Sequence, residues 1–458
     1  MAETPTVAAN DLQTKNDTML RTSGALPTML KRSFATSASR RSKAVDSLLA
    51  RSPDDVVITL AVRTAMTRAK KGALKDTSSD SLLYSMLKAV QERSGVNPAQ
   101  VEDITVGVCH APSPVYEARA ASLAAGFPEH VPVQAINRLC SSGLMAVRSV
   151  SDSISRGDID IGLAVGYETM SQNPRPTPKF ANEDIKANQT SRDCAEPMGW
   201  TSENVAADFN ISREAQDQYA LLSHTRAAEA HVSNRFADEI VPITTHILVP
   251  ADPANPKDMT NATSQQVVAD KDDIRPGTTF EGLSKLKPAF PDWGKSRSTG
   301  GNSSPLTDGA AAVMLMSRRK AEELGLEILG RHVSTVVTAV PPKYMGIGPA
   351  VAIPKLLEKN KLAMDDVDLF EINEAFASMM VYCVDKLNVP LEKLNVNGGA
   401  IALGHPLGCT GARQIATGLS ELKKRDANVL VTSMCIGSGM GAAALFVRES
   451  AAIAASKM

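Results

Sequence analysis

The chain has 458 residues, 43% hydrophobic and 22% charged, with a formal net charge of −1 at pH 7. That length predicts two or three domains with substantial cores, and the balanced charge offers no basic excess to attract nucleic acid. No uninterrupted apolar run reaches the roughly 20 residues of a membrane-spanning helix. The six cysteines (109, 140, 194, 383, 409 and 435) are scattered without a CxxC pair, which predicts reduced thiols and neither a zinc site nor a disulfide framework.

Between Thr18 and Val45 stand six basic residues (Arg21, Lys31, Arg32, Arg40, Arg41 and Lys43), many Ser, Thr and Ala, and no acid. This is the composition of a mitochondrial import segment. The closing Ser456, Lys457 and Met458 differ from the peroxisomal Ser-Lys-Leu signal only in the last apolar residue. Residues 1–52 are therefore expected to be a targeting or disordered arm and 449–458 a tail. The two ends point to different organelles, and either would engage an import machinery.

Folded sequence should begin near Asp54, where DDVVITLAVRT predicts a strand. Leu82, Leu83, Met86 and Val90 have helical spacing, and residues 101–108 return to strand. Ile159, Ile161, Leu163 and Val165 alternate along another strand ending in Gly166-Tyr-Glu. Strands alternating with helices predict a mostly parallel, buried sheet covered on both faces. From 171 to about 294 the rhythm breaks into Pro, Asn, Asp, Lys and Thr, with amphipathic helices near 203–209 and 213–232, which predicts an inserted lid or binding subdomain. Residues 307–317 restore strand character and close a first domain over 53–318. In the second domain, 319–448, a strand is expected at 366–372, helices at 373–387 and 412–423, and strands at 428–434 and 441–447. The element order repeats that of the first domain, so two related α/β units with an active centre between them are expected.

The stretch INRLCSSGLMAV, residues 136–147, reads as a strand end, a polar turn carrying Cys140, and a helix opening on two serines. Unpaired N–H groups and the positive dipole end at such a helix start favour an anion, so a thiolate is expected to form more easily there than in free cysteine. Taken alone, the residue reads better as a small buried core cysteine. Three glycine-rich junctions follow: NEAFA (373–377), NVNGGAIALGHPLGCTGARQ (395–414) and CIGSGMGAA (435–443). Glycine at this density lets backbone approach a ligand and frees N–H groups for an oxyanion. Neither a P-loop nor GxGxxG appears in its strand-turn-helix setting. His405, in a tight loop between Gly404 and Pro406, suits a base or a structural hydrogen-bonder.

These motifs, in this order and together with PMGWTSENVA (197–206) and STGGNSSPLTDGAAAV (298–313), resemble the thiolases, and among them the degradative 3-ketoacyl-CoA thiolases of fungal and animal β-oxidation. The resemblance runs from about Asp54 to Val447. It implies an α/β thiolase fold of two βαβαβαββ halves in five layers with an inserted loop subdomain, and a homodimer or dimer of dimers. It also implies roles: Cys140 as nucleophile, His405 as base and oxyanion-hole donor, Cys435 as general acid and base, Asn373 holding an oxyanion-hole water, and Gly437 lending a backbone N–H. Ser304, Met198 and Phe376 match positions along the CoA channel. CoA is a substrate, so no separate cofactor and no metal are expected, and the implied compartment is the peroxisome, with the mitochondrial matrix as the alternative.

Two other readings stay open on sequence: an acetoacetyl-CoA thiolase run biosynthetically, with the same catalytic residues, and a non-catalytic lipid carrier on the same fold. A carrier would be expected to lack the nucleophile, base or acid. A ketoacyl synthase would carry a second histidine where this chain has Asn373. Glu374 could orient its loop or cap a helix, and Arg138 and Arg413 could steer anionic CoA or face water.

Overall fold

The chain begins its described course one helix earlier than the strand expected near Asp54. A computed structural model describes residues 42–449 apart from positions 253, 256, 257 and 294; the targeting readings of residues 18–41 and of Ser456-Lys457-Met458 lie outside it. Helix α1 (Lys43–Leu48) buries Val45 and Leu49 against the body. The Arg331 guanidinium donates to the carbonyls of Leu48 and Ala50. Residues 42–52, expected to belong to the arm, thus include a docked helix, because two apolar side chains suffice to hold so short a segment.

Strand β1 (Val56–Arg63) leads through β2 (Thr67–Arg68), α2 (Ser79–Ser94), β3 (Asp103–Gly107), α3 (Pro114–Ala125), β4 (Val133–Ile136), α4 (Ser142–Arg156) and β5 (Ile161–Thr169). The insertion carries α5 (Glu183–Ala187), α6 (Gln189–Asp193), α7 (Met198–Asp208), α8 (Arg213–Val232), a hairpin of β6 (Ile243–Val249) with β7 (Thr263–Ala269), and α9 (Phe280–Ser284). Strand β8 (Thr307–Ser317) and α10 (Arg318–Glu323) close the first half. The second half runs β9 (Gly330–Ala339), α11 (Gly348–Lys359), β10 (Leu369–Ile372), α12 (Ala377–Leu387), α13 (Ala400–Leu403), α14 (Thr410–Arg425), β11 (Val429–Ile436) and β12 (Met440–Val447). Among the described residues, no helix is long and apolar enough to cross a membrane.

The main sheet has the order β10-β11-β12-β9-β1-β8-β5-β3-β4, with β2 on β8. Read outward from the central β9–β1 pair, each half places its strands alike: β1, β8, β5, β3 in one and β9, β12, β11, β10 in the other. Among the described residues the second half has no full counterpart of β4, only a single bridge from Phe370 to Leu394. The sheet is mixed. Its flanks are parallel (β10–β11, β5–β3, β3–β4), but β8 and β12 run antiparallel to both neighbours. The expected mostly parallel sheet is thus corrected. A strand buried on both faces has the same apolar pattern whichever way it runs, so composition cannot report direction.

Alternation along the strands builds the layers. On β8, Ala310, Ala312, Met314 and Met316 face α2 and α3, while Ala311, Val313 and Leu315 face α4 and α14. On β12, Ala442, Ala444 and Phe446 face that same central pair, and Ala443, Leu445 and Val447 face α11 and α12. Three apolar clusters between α2/α3, one half-sheet, α4/α14, the other half-sheet and α11/α12 make five layers. The middle helices are enclosed on both sides. Truncating Phe446 there should cost about 3–5 kcal/mol.

Candidate active site

The two central helices meet near their N-termini. A Cβ on Gly143, in the first turn of α4, would lie 2.5 Å from Gly408 O, just ahead of α14, and one on Gly411 would strike the backbone of Leu144. Only glycine allows this approach. It sets the loop before α4, with Cys140, beside the loop before α14, with His405.

The Cys140 turn is locked by its own side chains. Asn137 Oδ1 accepts from Leu139 N at 2.8 Å; Ser142 Oγ accepts from Arg138 N at 2.9 Å and donates to Leu139 O at 2.7 Å. Leu139 is left-handed, φ 48°, a conformation that costs a non-glycine residue about 1–2 kcal/mol and is held by the surrounding contacts. Cys140 itself is buried, and the backbone N–H groups of Gly437 and of Cys140 point at its sulfur. Burial pushes its pKa up and outweighs those two N–H groups. The expected easy thiolate is therefore corrected: α4 begins two residues later, at Ser142, and the desolvated sulfur rests as a thiol.

His405 follows Gly404, which has φ 109° and whose Cβ would collide with Thr307 Oγ1. The ring is buried and bonded at both nitrogens. Nδ1 lies 2.6 Å from Thr410 Oγ1, and Nε2 lies 3.3 Å from Asn373 Nδ2. Burial, reinforced by the nearby Arg413 charge, lowers the His405 pKa to about 3, so the imidazole is neutral at physiological pH. Asn373 lies just beyond β10, its N–H donating to Ser433 O at 2.8 Å. The helix expected from residue 373 begins only at Ala377, because 373–376 is taken up by this pairing and by a bridge from Ser303 to Phe376. Asn373 Oδ1 is buried without a hydrogen-bond partner among the described residues.

Cys435, on β11, is fully buried with its Sγ 3.4 Å from Met379 Sδ. Burial, and secondarily the charge that Cys140 would carry, raise its pKa well above the usual thiol value. The half-buried residues lie around this centre. Met198, at the start of α7, approaches Gly437, where an added Cβ would lie 3.6 Å from its sulfur. Ser304 N and Oγ both donate to Ala375 O at 3.0 Å, next to Phe376.

Further residues support the site, of which the sequence reading missed Glu168 and left Arg413 and Glu374 with open alternatives. Glu168 accepts 3.0 Å hydrogen bonds from Cys109 N, His110 N and Gly408 N, so one carboxylate joins the loop after β3 to the His405 loop. A lone acid in a strand otherwise so apolar was the available signal. Arg413 is buried and pairs with Glu371 at 3.0 Å, so it neither steers substrate nor faces water. Glu374 orients its surroundings, accepting from Tyr219, Ser223, Asn395 and Ile401 N. The Arg275 guanidinium donates to Gly300 O, and neither it nor the Arg68 guanidinium pairs with an acid among the described residues, although the Arg68 backbone N–H donates to Asp273.

Two related α/β halves in five layers, with the loops that carry Cys140 and His405 set side by side by facing helix starts, define the class of fold. The chain belongs to the thiolase family: the descriptions "Thiolase, N-terminal domain" and "Thiolase, C-terminal domain" match residues 56–319 and 326–448. It is 51% identical over 399 residues to the Arabidopsis thaliana protein named 3-ketoacyl-CoA thiolase 1, peroxisomal, covering 86% of this chain and 88% of that one. To the peroxisomal 3-ketoacyl-CoA thiolase of Yarrowia lipolytica it is 49% identical over 411 residues, covering 89% and 96%. The crystal structure of the dimeric peroxisomal thiolase of Saccharomyces cerevisiae matches with a TM-score of 0.79 at 43% identity, covering 88% of this chain and all of that one.

Proposed function

We infer that this chain is a 3-ketoacyl-CoA thiolase of the peroxisome, cleaving 3-ketoacyl-CoA with free CoA to acetyl-CoA and an acyl-CoA two carbons shorter, the last step of fatty-acid β-oxidation. The observation that carries this reading is the close approach of two loops, through Gly143 and Gly408, one bearing the buried Cys140 thiol and the other a neutral His405 held by Asn373.

The reaction follows from the proton affinities. His405 Nε2 takes the Cys140 proton as the sulfur attacks the 3-keto carbon. A raised thiol pKa and a lowered imidazole pKa make that transfer uphill at rest, so it is coupled to attack rather than stored as an ion pair. The developing oxyanion is met by the protonated His405 Nε2 and by a water on Asn373. Cleavage of the C2–C3 bond leaves the acyl group on Cys140 and an acetyl-CoA enolate, which takes the proton of Cys435. The thiol of incoming CoA then gives its proton to the Cys435 thiolate and attacks the acyl-enzyme, whose oxyanion is met by the N–H groups of Cys140 and Gly437. Release of the shortened acyl-CoA returns the His405 proton to Cys140. Ser304, Met198 and Phe376 line the route for pantetheine, the unpaired Arg275 and Arg68 are suited to CoA phosphates, and no cofactor is needed beyond the substrates. The working unit is a homodimer or a dimer of dimers.

The test is thiolysis of a chain-length series of 3-ketoacyl-CoA substrates including acetoacetyl-CoA, with Cys140→Ala as the blank. Activity on medium or long chains that disappears in the variant is expected. Turnover of acetoacetyl-CoA alone would move the protein to the biosynthetic class, and none at all in folded protein would make it a carrier.

A further inference from the structure

We propose that Thr410 is a positioning residue of the reaction: its hydroxyl holds the proton of His405 on Nδ1 and so leaves Nε2 bare to take the proton of Cys140. This rests on the thiolase reading above.

Two contacts, on opposite sides of the ring, agree on this. Thr410 Oγ1 has one proton and two neighbours, His405 Nδ1 at 2.6 Å and Pro406 O at 2.9 Å. A carbonyl oxygen can only accept, so the hydroxyl donates back along the first turn of α14 to Pro406 O, a bond that Ser and Thr commonly make to the fourth residue before them. Its lone pair then faces Nδ1, which must carry the hydrogen. On the other edge, Asn373 Nδ2 donates toward Nε2 at 3.3 Å, which requires an unprotonated nitrogen there.

The location makes the arrangement rigid. Thr410 is 1% exposed and is the first residue of α14, while the backbone N–H of His405 is held by Thr307 Oγ1 at 3.2 Å. The helix that brings the His405 loop against the Cys140 loop thus also selects the nitrogen that faces the chemistry. Losing the hydroxyl would let the ring proton move to Nε2, where it would block proton uptake.

The experiment uses full-length protein labelled with 15N-histidine, comparing wild type, Thr410→Val and Thr410→Ser, with His405→Asn to assign the resonance. Wild type and Thr410→Ser should show a pyrrole-type Nδ1 and a pyridine-type Nε2, and Thr410→Val a mixture of both tautomers. Thiolysis by Thr410→Val should lose about 10- to 100-fold in kcat, the scale found when the group that fixes the tautomer of a metal-bound imidazole is removed, with KM changed less than about threefold, and Ser should restore the rate. A pyridine-type Nδ1 in the wild type overturns the proposal even if the valine variant does not fold. So does a valine variant with wild-type kcat, or a serine variant as impaired as valine. A wild type inactive on every substrate would instead count against the thiolase reading, and the resonances would still decide the tautomer.

Discussion

Glu168→Gln tests whether one buried carboxylate holds the two halves of the site together. The carboxylate receives three N–H groups at 3.0 Å, Cys109 and Gly408 on Oε2 and His110 on Oε1. Hydrogen bonds to a charged acceptor contribute roughly 1.5–3 kcal/mol each. Glutamine can keep its amide oxygen at the Oε2 place and hold two of them at neutral strength. Its NH2 then faces His110 N–H, donor against donor. Against this stands the relief of removing a buried charge, since burial raises the Glu168 pKa. The balance is a loss of about 2–4 kcal/mol. Gly408 is part of the His405 loop, and a displacement of about 1 Å there is worth roughly 10²-fold in rate. Thermal unfolding together with steady-state thiolysis is the assay. The melting temperature should fall from wild type to Gln to Ala, with kcat reduced in both variants and KM little altered. If Glu168→Gln matches wild type in melting temperature and kcat, the side chain is protonated at working pH and does not clamp the loops as a carboxylate.

Asn373→Ala removes the amide that faces His405 Nε2 and one donor arrangement for an oxyanion, and should lower kcat by about 10²- to 10³-fold. Alkylation of Cys140 by iodoacetamide should survive in that variant, and a kcat within threefold of wild type would exclude the assigned role. Acid should destabilise the protein through its buried neutral histidines. His405 is lowered to about 3, and His332, whose ring nitrogens meet Ser151 and Thr335, to about 4, both chiefly by burial. Between pH 6.5 and those values the unfolded chain binds protons that the folded chain refuses, so stability drops as pH falls, by about 2 kcal/mol per histidine at pH 5. Urea midpoints at pH 7.5, 6 and 5 should decline, and His332→Gln should flatten the slope; equal midpoints across that range would contradict both assignments.

The candidate catalytic positions were legible because their signals are local. Cys140, His405 and Gly437 sit in turns whose glycines and small polar residues have no use in a core, and Asn373 and Cys435 lie at the ends of apolar runs. The residues that support them were not legible. Arg413 and Thr410 belong to an amphipathic stretch that could as well present them to water, and only the second half-sheet, closing over α14, buries them. Strand direction was equally hidden, and so was α1, whose one buried apolar residue, with Leu49 at its C-cap, is too little to stand out from a basic, serine-rich segment.

The sequence by itself determined which segments become buried strands and amphipathic helices, and where backbone can approach a ligand, since periodicity and glycine placement are properties of neighbouring residues. The tertiary structure alone decided the mixed order of the sheet, the meeting of α4 with α14, and the charge states of Cys140, His405 and Cys435. Those states depend on desolvation, and desolvation is set by what distant parts of the chain pack on top.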